Sequence, residues 1–164
     1  IFQEGFGVSP TNFGLWMAVN GVASYVGVQF GAQLAKFIQG HWLLAAYGVI
    51  GSLLGIGLFL TSGTSFLWAE VFFFVQLFIF GASLTVLPTI ALYNHGSEAG
   101  TASSLLGVFN FTFASLISAT YFLLRSTVTA DLGVLIGLLY AGSFLALIFI
   151  SRPWLLPDMR KADV

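Results

Sequence analysis

Residues Gly81–Gly107 read GASLTVLPTIALYNHGSEAGTASSLLG. The run is apolar up to Pro88, opens into the polar turn Asn94-His-Gly-Ser-Glu98, and returns to small and apolar residues from Ala99. A proline near the end of a long apolar helix is tolerated because few hydrogen bonds remain to be lost there, and its ring can kink the exit. A charged turn between two long apolar runs then reads as a loop at a membrane surface, with a helix crossing the bilayer on either side.

Composition supports that reading. Of 164 residues, 58% are hydrophobic and only 7% are charged, whereas a soluble domain carries about 25% charged residues and needs them to cover its surface. Mean hydropathy is +0.98, and 18 Phe and 19 Gly suit rings facing lipid and helices in close approach. The net charge of −1 supplies no basic field for nucleic acid, which is excluded as a partner. With no cysteine, thiolate metal sites, disulfides and thiol chemistry are excluded as well.

A helix needs about 20 apolar residues to cross the hydrocarbon core. Five such segments are predicted, at about 13–37, 42–60, 66–93, 100–124 and 132–150, all within a transmembrane bundle spanning 1–152. Thr11 or Asn12, after Pro10, is the expected cap of the first. The runs lack the strict alternation of barrel strands, so the expected fold is all-α. Ile1–Gly7 is too short to cross and reads as the end of an earlier helix; no signal peptide is visible before it. Pro153 stops the last helix and 153–164 is read as a polar tail.

Orientation follows from basic residues, which favour the cytoplasm. Lys36 lies between the first two helices and Arg152, Arg160 and Lys161 follow the fifth, while Arg125 stands alone at the opposite face with Asp131 across the turn. The C-terminus and the Asn94–Glu98 turn are therefore expected to be cytoplasmic. His41 and His95 fall in turns of the same face, where a solvated side chain is expected.

Pro88, Ala91, Leu92, Ala99, Gly100, Thr101, Ala102, Ser103 and Gly107 resemble the tenth and eleventh helices of drug:H+ antiporters of the major facilitator superfamily. The region looks like that of the bicyclomycin-resistance (Bcr/CflA) subfamily, with Asn110 standing where its pattern has Gln. Upstream, Gln3-Glu-Gly-Phe-Gly-Val-Ser-Pro10, Phe13-Gly, Ala18-Val-Asn20-Gly and Gly31-Ala-Gln-Leu34 are similar to the same subfamily between its seventh and eighth helices. The turn Ala35-Lys-Phe-Ile-Gln-Gly-His41 departs from it, with one Lys, no Asp and no basic cluster. The resemblance implies the C-terminal six-helix bundle of a twelve-helix transporter: the end of helix seven, then helices eight to twelve complete. It further implies a multi-pass protein of a bacterial inner membrane, with the N-terminal six-helix half, a small-molecule substrate and protons as partners, and proton-coupled efflux as activity.

Polar residues inside spans are costly and mark function by default. Glu70 is the one acid placed within a segment, close to its outer end. It carries two readings: a proton-coupling carboxyl, or an interfacial side chain snorkelling to water. Asn20, Gln76 and Asn110 lie on three segments and are candidate substrate ligands, or amides that join helices. Phe109 and Phe113, one turn apart around Asn110, would add rings to a drug cavity. Gly48, Gly51, Gly55 and Gly57 on the second segment and Gly133 and Gly137 on the fifth predict close helix packing. No cofactor, metal site or enzymatic residue set is expected. The alternative function is a small self-standing membrane scaffold that assembles through these glycine stripes.

Overall fold

The computed structural model describes residues 2–93, 98–123 and 129–155. Every regular element among them is helical: α1 (Phe2–Phe6), α2 (Pro10–Leu34), α3 (Gly40–Leu60), α4 (Phe66–Leu92), α5 (Ala99–Leu123) and α6 (Thr129–Ala146). A π-helical turn, Leu147–Ser151, extends α6 and a 3-10 turn, Pro153–Leu155, follows. Of the turn around His95, residues 94–97 lie outside the described residues, as do Arg125 and the tail from 156 onward.

The starts of α2, α3 and α6 sit two to three residues earlier than the apolar runs suggested, because polar and small residues build their first turns, whereas α4 starts at the expected Phe66 and α5 one residue early at Ala99. The cap of α2 is Ser9, whose Oγ accepts from the Asn12 amide at 3.3 Å; Thr11 and Asn12 are already helical. Pro10 dictates this, since its fixed φ and missing N–H suit the first helical position and leave the cap to the residue before it. The same helix ends at Leu34 rather than 37, where Ala35–Phe37 form a hydrogen-bonded turn. Thr129 opens α6 and donates to Ser62 Oγ at 3.1 Å, tying that end to the α3–α4 link. At the other end the Arg152 amide donates to the Leu147 carbonyl at 3.0 Å, and Arg152 itself takes a left-handed φ of 48°.

Among the described residues, four helical stretches are long and apolar enough to cross a membrane: Gly40–Leu60, Phe66–Leu92, Ala99–Tyr121 and Thr129–Leu155. The 25 residues of α2 are also long enough, at about 37 Å for a rise of 1.5 Å per residue. Asn12, Asn20, Ser24, Gln29 and Gln33 make it the more polar helix. Pro88 sits inside the continuous α4, four residues before its last.

Glycine sets the packing. A Cβ on Gly27 would strike the Phe78 carbonyl and one on Gly31 the Ala82 backbone, while one on Gly81 would strike the Ser24 carbonyl. From Asn20 beside Glu70, through Gly27 beside Phe78, to Gly31 beside Ala82 the residue numbers rise together, so α2 and α4 run parallel. Along α3 the contacts fall in the opposite sense: Gly48 meets Phe144, Gly51 meets Tyr140, and Gly55 meets Gly137 and Gly133. Thus α3 and α6 are antiparallel, and the two glycine stripes read in the sequence face each other. Between lipid-facing helices this closeness, not the hydrophobic effect, supplies the attraction. Leu43, Tyr47, Ile79, Ala82 and Val86 join α3 to α4 in the main core. In contrast, none of the described residues of α5 is buried, and its principal neighbour is α4.

Candidate functional site

The tight seam between α2 and α4 carries two polar side chains. Asn20 is 1% exposed and Glu70 is 4% exposed, and Asn20 Nδ2 donates to Glu70 Oε1 at 2.9 Å. Glu70 therefore does not snorkel: four residues into α4 its side chain turns toward α2, because small residues on both helices let the backbones approach. Asn20 Oδ1 and Glu70 Oε2 are buried and meet no hydrogen-bond partner among the described residues. A cleft of about 230 Å³ is lined by Trp16, Leu67, Glu70, Val71 and Phe74. Above it the rings of Trp16 and Phe6 pack edge-on against Phe66, with centroids 5.4 and 5.9 Å away.

A carboxyl in such surroundings can bind and release a proton, since one oxygen is held by an amide and the other is left without a donor. A permanent ion pair would serve that purpose poorly, and among the described residues no cation lines the cleft beside Glu70: the other cleft-lining residues are apolar or aromatic.

Gln76 occupies a different place. Six residues after Glu70, it projects about 120° away around the helix, is buried, and its amide finds no hydrogen-bond partner within 3.5 Å among the described residues. It lies beside the hydroxyl of Tyr140 on α6. That ring reaches toward α4 because Gly51 leaves room for it: any side chain at 51 would overlap the Tyr140 ring.

Asn110 is exposed on α5, and Phe109 and Phe113 beside it stack with centroids 6.3 Å apart and an interplanar angle of 26°. The shared face read from their spacing is present. No hydrogen bond joins Asn110 to Asn20 or Gln76 among the described residues. The three amides therefore stand at three places, one paired with the acid, one between α4 and α6, and one on the uncovered helix.

Two features escaped the sequence. The Asn20–Glu70 pair joins residues 50 apart, and the available signal was the glycines of α2 and α4, which mark the facing sides of both helices. His41, expected to be solvated, is 1% exposed. The correction follows from the helix start: α3 begins at Gly40, so His41 lies in its first turn, packed inward, rather than in the preceding link.

Over 121 residues the chain is 27% identical to YdgK of Bacillus subtilis (strain 168), described as an uncharacterised MFS-type transporter. The match covers 72% of this chain and 30% of that protein, so the chain spans under a third of its relative's length. No family model and no solved structure matches the chain. The four apolar spans and this likeness identify an all-α integral membrane protein and support a transporter of the major facilitator kind.

Proposed function

We propose that the chain is the C-terminal bundle of a proton-coupled exporter of small molecules, of the Bcr/CflA type within the major facilitator superfamily. The observation that carries the proton coupling is Glu70, a carboxyl buried in a membrane-spanning helix and bonded to Asn20, on a residue that lines a cleft. Acids in this position are costly and serve ion pathways. The likeness to an MFS-type transporter and the family pattern from Pro88 to Asn110 support the transporter class.

In this reading α2 crosses the bilayer with α3 to α6, α1 ends the preceding helix, and the C-terminus lies in the cytoplasm of a bacterium, on the side of Lys36 and Arg152. The uncovered faces of α2 and α5, which expose Val22, Phe30, Phe109 and Phe113, meet the N-terminal six-helix half of the same transporter. The two bundles rock about a midplane cavity, and substrate leaves as protons enter. Phe109, Asn110 and Phe113 face that cavity and contact the substrate. Gln76 and Asn20 are second to them, since each is already buried against its own helix partners.

The scaffold alternative loses its basis in the packing: Gly48, Gly51, Gly55 and Gly133 are occupied by contacts within the chain and are not free to assemble copies. The test is drug export by the full-length transporter in proteoliposomes under an imposed pH gradient. Glu70→Gln is expected to abolish gradient-driven export while leaving substrate binding intact. Unchanged gradient-driven export in that variant contradicts the proposal.

A further inference from the structure

We infer that Asn20 is a positioning residue that latches α2 to α4 when Glu70 carries a proton, the two side chains then closing into a cyclic pair of carboxylic acid and amide. The inference rests on the reading of Glu70 as the proton carrier. One half of the ring exists: Asn20 Nδ2 donates to Glu70 Oε1 at 2.9 Å. The other two atoms, Asn20 Oδ1 and Glu70 Oε2, are buried and without a hydrogen-bond partner among the described residues. With Glu70 ionised both are acceptors, so neither can satisfy the other. Protonation of Oε2 supplies the missing donor, because an acid and a primary amide each present one donor and one acceptor in complementary order.

The step is a plain proton transfer. An O–H bond forms at Oε2 as an O–H bond of a hydronium ion in the cleft breaks, leaving water; release reverses it, and no electrons are exchanged. The seam gives the switch something to act on. Toward the other end of α2 the contacts of Gly27 and Gly31 with the α4 backbone are fixed by sterics, whereas at Asn20 and Glu70 the closure depends on one proton. The two helices are thus held at one end and switchable at the other. The titration is expected to belong to Glu70 itself. Its neighbours in the seam and cleft are Asn20 and Trp16 of α2 and Leu67, Val71 and Phe74 of α4. On the elements packed against this pair of helices, His41 and Tyr47 belong to the opposite half of α3, and Asp131 lies in the first turn of α6.

Two readouts on the full-length transporter test this. The first is infrared difference spectroscopy between alkaline and acidic pH. A protonated-carboxyl band is expected in wild type, is lost in Glu70→Gln, and moves to higher frequency in Asn20→Ser, where the ring cannot close. A band at unchanged frequency in Asn20→Ser overturns the latch and leaves the proton reading standing; absence of any band that Glu70→Gln removes overturns the proton reading itself. The second is the distance between spin labels at Leu15 and Trp68, both exposed. It is expected to shorten on acidification in wild type and to stay short at every pH in Glu70→Gln, whose amide mimics the protonated acid. Because Glu70→Gln conserves size and donor, it guards against loss of folding. A pH-dependent distance that persists in it overturns the latch.

Discussion

Gly55 and Gly137 meet backbone to backbone: a Cβ on Gly55 would stand 2.5 Å from the Gly137 nitrogen and 2.6 Å from its Cα. The reverse does not hold, for a Cβ on Gly137 would lie 3.7 Å from its nearest neighbour, the Ser52 carbonyl. Gly55→Ala should therefore force α3 from α6 and cost about 1–3 kcal/mol, as overpacking does, while Gly137→Ala should be near neutral. Thermal unfolding of the detergent-solubilised protein distinguishes them, and equal effects would contradict the packing.

The Tyr140 hydroxyl is the group the Gln76 amide has beside it. No hydrogen bond within 3.5 Å joins the two among the described residues, so Tyr140→Phe, which removes the hydroxyl and keeps the ring, should cost less than about 1 kcal/mol. Gly51→Ala should be at least as damaging, since it displaces the whole ring. A large fall in melting temperature for Tyr140→Phe with none for Gly51→Ala would contradict this packing.

Asn110 and the stacked pair Phe109 and Phe113 lie on α5, which has no buried residue among those described. Replacing Asn110 by Ala should alter export for some substrates by roughly tenfold, the effect of about 1.4 kcal/mol, without lowering the stability of the chain. Drug-susceptibility profiles of cells expressing the full-length transporter check this, and a profile identical to wild type for every substrate removes Asn110 from the cavity.

Ser9 is the cap that Pro10 imposes on α2. Ser9→Ala should destabilise by about 0.5–2 kcal/mol, whereas Thr11→Ala should have a smaller effect. Paired unfolding measurements in the same detergent decide between the two positions.

The sequence showed most of the fold because apolar length is a direct physical requirement of a bilayer. Runs around Phe72-Phe-Phe74 and Gly133-x3-Gly137 mark spans and close contacts by composition alone. It showed less of the site. Helices that are apolar nearly all round carry no amphipathic stripe to say which face turns inward, so Glu70, close to a helix end, read more readily as snorkelling than as buried. Which of Asn20, Gln76 and Asn110 met a partner depended on the rotation of each helix, a property set by glycines on its neighbour. His41 turned inward because the helix began two residues sooner than the apolar run did.

The most direct test of proton coupling through Glu70 is proton release on substrate binding, followed with a pH-sensitive dye in weakly buffered, detergent-solubilised full-length transporter. Wild type is expected to release protons when substrate is added and Glu70→Gln to bind substrate without releasing any. The same proton release from both proteins would contradict it.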